Sequence, residues 1–210
     1  MSNSTNPSSQ RWPGPQRRIG LTGGIATGKS SVGHWLSARG IPVLDADQYA
    51  REALAPGTPG WAAVLERYGS SVVQAGSNRN QPQLDRSALG SIIFRDLHER
   101  SWLEGVVHPL VRQRFDQALH SESTAPVVVL MVPLLFEAGL DNLCIEIWVV
   151  WCNANQQLTR LMAREGLTED AARHRIQAQW PLSEKCKRAD HVIDNNGTTG
   201  CWHQQAAELL

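Results

Sequence analysis

The chain has 210 residues, in which 20 Lys and Arg balance 20 Asp and Glu. That length suits one α/β core with a small insertion and is short for two independent domains. The charge balance excludes global steering toward nucleic acid or an anionic membrane, so an anion site has to be a local cluster and its partner a small molecule. No apolar run approaches a membrane span, and Met1 to Gln16 is rich in Ser, Asn, Pro and Gln without the apolar centre of a signal peptide. Cys144, Cys152, Cys186 and Cys201 are too scattered for a zinc site and read as reduced cysteines of a cytoplasmic protein.

Residues 1–17 read as a disordered tail and 18–210 as the folded part. Arg18 to Thr22 is a short apolar strand, followed directly by Gly23-Gly24-Ile25-Ala26-Thr27-Gly28-Lys29-Ser30 and then Ser31. Gly, four residues and Gly-Lys-Ser between a strand and a helix is the spacing of a phosphate-binding loop. Its glycines let backbone N–H groups turn inward as an anion nest, and the start of the next helix adds partial positive charge. Lys29 then reaches the terminal phosphates of a nucleoside triphosphate, and Ser30 is placed to put its hydroxyl on magnesium. Neither Ala26 nor Thr27 stands where this pattern requires glycine. A Gly-rich turn capping an ordinary helix is the alternative, but it needs neither the lysine nor the hydroxyl.

Ser30 to Arg39 reads as a helix with Val32, Trp35 and Leu36 on one face, ended by Gly40. Ile41 to Leu44 is a second buried strand, running into Asp45-Ala46-Asp47. Strand, helix and strand with short connections form a βαβ unit with parallel strands, adjacent or one strand apart, so the loop and the aspartates share a sheet edge. While the chain stays extended, the carboxylates of Asp45 and Asp47 point to one side. One would help hold magnesium and the other would take the proton of an attacking hydroxyl. Asp47 reads equally well as the N-cap of a helix over Gln48 to Leu54.

From Gln48 to Asp116 the pattern is helical and less regular. A helix is expected over Trp61 to Tyr68, a polar turn-rich loop over Gly76 to Gln83, and a helix from Asp85 through Phe94, with Asp85 or the preceding turn as cap. A helix from Asp96 to about Val107 should break at His108-Pro109 before another from Leu110 to His120. His108 is then a polar residue at that break. Val127 to Val132 is a strand buried on both faces, and Leu143 to Trp151 is another. Asn155 to Arg164 is a helix whose Leu158, Leu161 and Met162 share one face while Arg160 and Arg164 project together from another. Thr168 to Trp180 starts with a capping pattern, His191 to Ile193 is a last strand, and Trp202 to Leu210 closes as a helix. Arg160, Arg164, Arg173, Arg175, Lys185, Lys187 and Arg188 concentrate positive charge here. They are either a solvated face or a clamp for a transferring phosphoryl group.

These segments together resemble the dephospho-coenzyme A kinase family. The match runs through Leu21 to Ile25 and Gly28-Lys29-Ser30, Asp45-Ala46-Asp47, Asp85-Arg86, His108-Pro109-Leu110-Val111-Arg112, Val132 to Glu137, Gln157 to Arg164, Arg175 to Gln179, Lys185 with Ala189-Asp190, and Val192 to Gly197. The resemblance implies an α/β, three-layer P-loop kinase fold with a five-stranded parallel sheet. Its core would be 18–47, 126–164 and 189–210, with a helical acceptor-binding insertion at about 48–125 and a lid at about 164–188. It implies transfer of the γ-phosphoryl group of ATP, with Mg2+, to the ribose 3′-hydroxyl of dephospho-coenzyme A. Asp47 would be the base, Lys29, Arg160 and Arg164 the cationic groups, and Ser30 and Asp45 the metal ligands. Gly23 to Ser31 would hold the phosphates, Asn195 and Gly197 the purine, and Asp47, Arg86, His108 and Arg112 the acceptor. Met131 stands where many relatives carry Asp, so no metal ligand is expected from that strand.

Two other readings share the loop. A kinase of a nucleotide or small metabolite would keep the fold and change only the acceptor. A GTP- or ATP-binding switch protein would use Asp194-Asn195-Asn196-Gly197 as its switch, but that turn follows the last strand and the guanine-reading Asn-Lys-x-Asp is missing from the sequence.

Overall fold

The computed structural model describes residues 11–78, 81–197 and 200–210. The chain divides into two compact units, Met1–Asp45 with Ser121–Leu210, and Ala46–His120. The first is built on strands β1 (Arg17–Gly23), β2 (Val43–Asp45), β3 (Val127–Met131), β4 (Glu146–Trp151) and β5 (His191–Asp194), in the order β2-β3-β1-β4-β5. Every pairing is parallel. β1 and β2 are therefore one strand apart, with β3 between them.

Alternation along the strands sends Ile19, Leu21, Val129, Met131, Trp148, Val150 and Ile193 into one core. Helix α1 (Lys29–Ser37) covers it with Val32 and Leu36, and the C-terminal helix (His203–Glu208) and its N-cap contribute Ala206 and Trp202. The intervening residues Val128, Leu130, Ile147 and Val149 are buried as well. A parallel sheet covered on both faces reads as continuous apolar runs, as Val127 to Val132 does.

Some sequence boundaries shift. β4 begins at Glu146, because Asp141–Leu143 forms a 3-10 turn. The tail reading covers residues 1–10, which lie outside those described, and 11–17, which are tied down. Trp12 N–H donates to Cys144 O at 3.0 Å, Arg11 pairs with Asp190, and Gln16 Nε2 donates to Glu122 O at 2.7 Å. Arg17 already belongs to β1.

The second unit holds α2 (Ala46–Ala53), α3 (Pro59–Tyr68), α4 (Arg86–Arg95) and nearly all of α5 (Leu97–Ser121). Asp85 caps α4, its Oδ1 accepting from Ser87 N–H at 2.9 Å and Ala88 N–H at 3.0 Å. The expected break at His108-Pro109 does not occur, and Pro109 lies inside α5. An internal proline costs about 3 kcal/mol. The buried stripe Leu103, Val107, Val111, Phe115 and Leu119 keeps its four-residue register through the proline, and packing along that stripe outweighs the local cost. Of the polar loop Gly76 to Gln83, residues 79 and 80 lie outside the described residues.

Candidate functional site

The loop between β1 and α1 is fastened from behind through its carbonyl groups. Thr27 Oγ1 donates to Gly24 O at 2.9 Å, Gln157 Nε2 donates to Ile25 O at 2.9 Å, and Asn195 Nδ2 donates to Thr27 O at 2.7 Å. With three of the loop's acceptors turned into the protein, the dipoles of these peptides present their N–H ends the other way, which makes an anion nest. At Gly24 an added Cβ would lie 2.5 Å from Gln157 Nε2. Gly28 has φ +99°, and a Cβ there would lie 2.2 Å from Asn195 Nδ2. Substituting either glycine would break the bracing.

Ala26 takes φ +60°, the left-handed region. The motif leaves this position open, and alanine occupies it in a conformation that glycine adopts more readily. The hydrogen bonds on Ile25 and Thr27, the residues on either side, hold Ala26 in that conformation. Lys29 opens α1 and is buried, while Ser30 and Ser31 are exposed.

Asp45 ends β2 and pairs in register with Met131, which pairs with Leu21 of β1. Two strand spacings put the Asp45 backbone roughly 10 Å from that of Leu21. Met131 is a core residue, so β3 offers no carboxylate at this row. The chain enters α2 at Ala46, so strand alternation does not place Asp45 and Asp47 on one side. It also removes the cap reading of Asp47, which lies in the first turn of α2 and is exposed.

Asn195 is 6% exposed and its amide is committed to Thr27 O, so it braces the loop from the end of β5. Gly197 O accepts from Gln156 Nε2 at 3.4 Å, and Asn196 Oδ1 accepts from the N–H and Nδ2 of Asn153, the N-cap of helix α6 (Ala154–Glu165). These bonds hold the turn after β5 against the start of α6.

The two arginines of α6 do not share an environment. Arg160 is half-buried, with Nη1 buried and without a hydrogen-bond partner, beside the Cys152 thiol. Burial pushes that thiol's pKa up, and the adjacent Arg160 opposes the shift. Arg164 is exposed and paired with Glu165 at 2.6 Å. The basic run beyond α6, on helices α7 (Glu169–Gln177) and α8 (Leu182–Arg188), the second of which the sequence reading did not anticipate, is largely neutralised by carboxylates of α6, α7 and α8. Arg173 pairs with Glu169, Arg175 with Glu165 and Lys187 with Glu184.

Lys185 is fully buried. Its Nζ donates to Pro133 O at 2.8 Å and lies 2.9 Å from Glu137 Oε1.

In the second unit, Arg86 Nη2 donates to Arg51 O at 3.3 Å and Arg112 lies 3.6 Å from Asp116. His108 is exposed on α5. Trp61 and Trp102 are packing groups, one donating to Pro82 O and the other edge-on to Tyr68. Sequence reading missed Gln157 and Gln179 as loop-holding residues. A polar side chain one turn before Leu161, on the apolar face of α6, was the available signal for Gln157.

The dephospho-CoA kinase family model matches residues 17–200. The chain belongs to the dephospho-CoA kinase family. It is 60% identical over 198 residues to a dephospho-CoA kinase of Synechococcus sp. (strain CC9605), covering 94% of each chain. It is 55% identical to that of Prochlorococcus marinus (strain MIT 9313), covering 95% of this chain and 98% of the relative. A crystal structure from Thermus thermophilus superposes with a TM-score of 0.77 at 35% identity, covering 93% of this chain and 97% of that one. A dephospho-CoA kinase from Campylobacter jejuni has the same fold, with a TM-score of 0.66 at 24% identity. As a member of this kinase family the protein is an enzyme of the final step of coenzyme A biosynthesis, with ATP as a substrate. Among the described residues no helix is long and apolar enough to cross a membrane.

Proposed function

We propose that the protein transfers the γ-phosphoryl group of ATP to the ribose 3′-hydroxyl of dephospho-coenzyme A, giving coenzyme A and ADP in the cytoplasm. The observation that carries the reading is the phosphate loop, whose carbonyl groups are held from behind while Lys29 opens the next helix. Preorganised N–H groups and a lysine are what a phosphoryl transfer needs, since its charge spreads over the equatorial oxygens and little covalent work is left for the protein. Gly23 to Ser31 bind the phosphates.

Arg160 supplies positive charge, because a buried guanidinium N–H without a partner is costly until an anion meets it. Arg164 reaches the phosphates only by leaving Glu165. Asp47 takes the proton of the acceptor hydroxyl; it is tethered two residues beyond Asp45 at the end of β2 and is exposed in the first turn of α2. Arg86, His108 and Arg112 serve the acceptor. Residues from the end of α6 through α7 act as the lid.

Ser30 and Asp45 fit Mg2+. The described residues hold no group of three or more His, Cys, Asp or Glu that would cage a metal, and Mg2+ typically takes one or two carboxylates with phosphate and water. When bound, the ion neutralises charge on the phosphates. Four cysteines without disulfides suit a reducing, ATP-rich compartment.

The test is ADP release with ATP and magnesium against dephospho-coenzyme A, AMP, CMP, shikimate and no acceptor. Dephospho-coenzyme A should exceed the others by orders of magnitude, and preference for another acceptor refutes the reading. Asp47→Asn should lower turnover about 10²-fold or more with little change in melting temperature. Near-normal turnover removes Asp47 from the role of base.

A further inference from the structure

The phosphate loop is also held from the front of one peptide. Ile25 O is taken by Gln157, and Ile25 N–H donates to Gln179 Oε1 at 2.9 Å. The two peptides on either side of the Ile25 Cα are thus each held by a carboxamide, one on α6 and the other just past α7. Gln179 does not hang on a loose segment. The next residue, Trp180, donates its N–H to Glu137 Oε1 at 3.2 Å and stacks on Phe136 at 6.3 Å between ring centroids. Arg188 covers the Trp180 ring from 4.7 Å.

The same Glu137 oxygen meets the buried Lys185 ammonium, which also reaches Pro133 O, an acceptor for Thr22 Oγ1 at 3.1 Å. A lysine at zero exposure is retained only where its charge is matched and its donors are used. Here it fastens α8 to the segment 133–137 and to the end of β1.

The geometry points to Gln179 as a positioning residue of the phosphate loop, presented to Ile25 by a latch made of Glu137 and Lys185. The inference rests on the reading of the loop as the ATP site. Gln179 touches no reacting atom. It fixes the Gly24–Ile25 peptide, one before the peptide that leads into the strained Ala26, so that the N–H groups that follow stay aimed at the nucleotide. The latch also bounds the lid: residues 180–188 are anchored to the sheet, and motion over the nucleotide belongs to α7, of whose residues Ala172 alone is buried.

Amide hydrogen exchange at Ile25 and the Kd for ADP, measured on the full chain without acceptor, test this. Gln179→Ala should speed exchange at Ile25 at least tenfold and raise the Kd about fivefold, the scale of one hydrogen bond. Gln179→Glu keeps an acceptor oxygen and should retain the protection. Unchanged exchange in Gln179→Ala overturns the assignment, and so does tighter ADP binding, which would make Gln179 a plug. In a Lys185→Met background, or Glu137→Gln if the former does not fold, adding Gln179→Ala should change exchange less than twofold. A full effect there removes the latch. Because no acceptor is present, failure of the dephospho-coenzyme A reading leaves these outcomes intact; a parent chain that binds no ADP refutes both.

Discussion

Ala26 shows how a loop can be legible by motif and illegible by conformation. The Gly-x-x-x-x-Gly-Lys-Ser spacing names the glycines that have to be glycine and is silent on which of the four intervening residues turns left-handed. In the folded chain that residue is Ala26, at φ +60°. A left-handed residue with a Cβ costs about 1–2 kcal/mol, and the neighbours held by Gln157, Gln179 and Asn195 bear that cost. Ala26→Gly should relieve the strain, less the ~0.4–1 kcal/mol that glycine adds to unfolded-chain entropy. A net gain of up to about 1 kcal/mol should appear as a melting point higher by roughly 2–4 °C. A lower melting point would mean that Ala26 is not strained. Asn195 teaches the same lesson: the sequence put it near the nucleotide, and only burial revealed that its amide is spent on Thr27.

Elements carry their own logic, seen best where α3 meets α5. Arg67 donates two hydrogen bonds to Glu99, at 2.7 and 2.8 Å, and Tyr68 Oη adds a third at 2.6 Å. The bonds from Arg67, and then those from Tyr68, hold the Glu99 carboxyl down at about 2 against an ordinary 4.5. Burial, followed by the bond to Glu99, pushes the Tyr68 hydroxyl up to about 12. A carboxyl lowered on folding contributes stability above its unfolded pKa and loses it as pH falls through the folded one. The melting temperature of the parent should therefore drop between about pH 4.5 and pH 2, and Glu99→Gln should flatten that part of the profile. Equal slopes in the two proteins would show that the trio contributes nothing.

None of this was visible in the sequence, where Glu99 lies some thirty residues from its partners and pairing is decided by packing. Pro109 failed for a related reason. A local helix breaker was outweighed by a stripe of buried residues whose shared face only the folded helix displays. Periodicity, by contrast, located Val32 and Leu36 on the buried face of α1, and the residue type at the helix start offered Asp85 as one of two cap candidates, the one the folded chain uses.

For the whole molecule, nucleotide binding has to show as stability. A ligand at a hundred times its Kd stabilises by about 2.7 kcal/mol, and at ~2–4 °C per kcal/mol this raises the melting point roughly 5–10 °C. ADP with magnesium should produce that shift in the parent chain. In Lys29→Ala, at the same nucleotide concentration, most of it should vanish; a full shift would remove Lys29 from the phosphate site.

By itself the sequence determined the parallel α/β core, the phosphate loop, the aspartates after the second strand and the family, because strands buried on both faces and a nest of glycines leave local, ordered signatures. What holds the loop was decided by tertiary structure alone. Gln157, Gln179 and Asn195 reach it from positions 132 to 168 residues away, and the buried Lys185 meets Glu137 and Pro133 from a helix the sequence did not disclose. Hydrogen bonds between residues so far apart leave no periodicity and no spacing. They exist only once the sheet has brought the ends of β1, β4 and β5 to one edge.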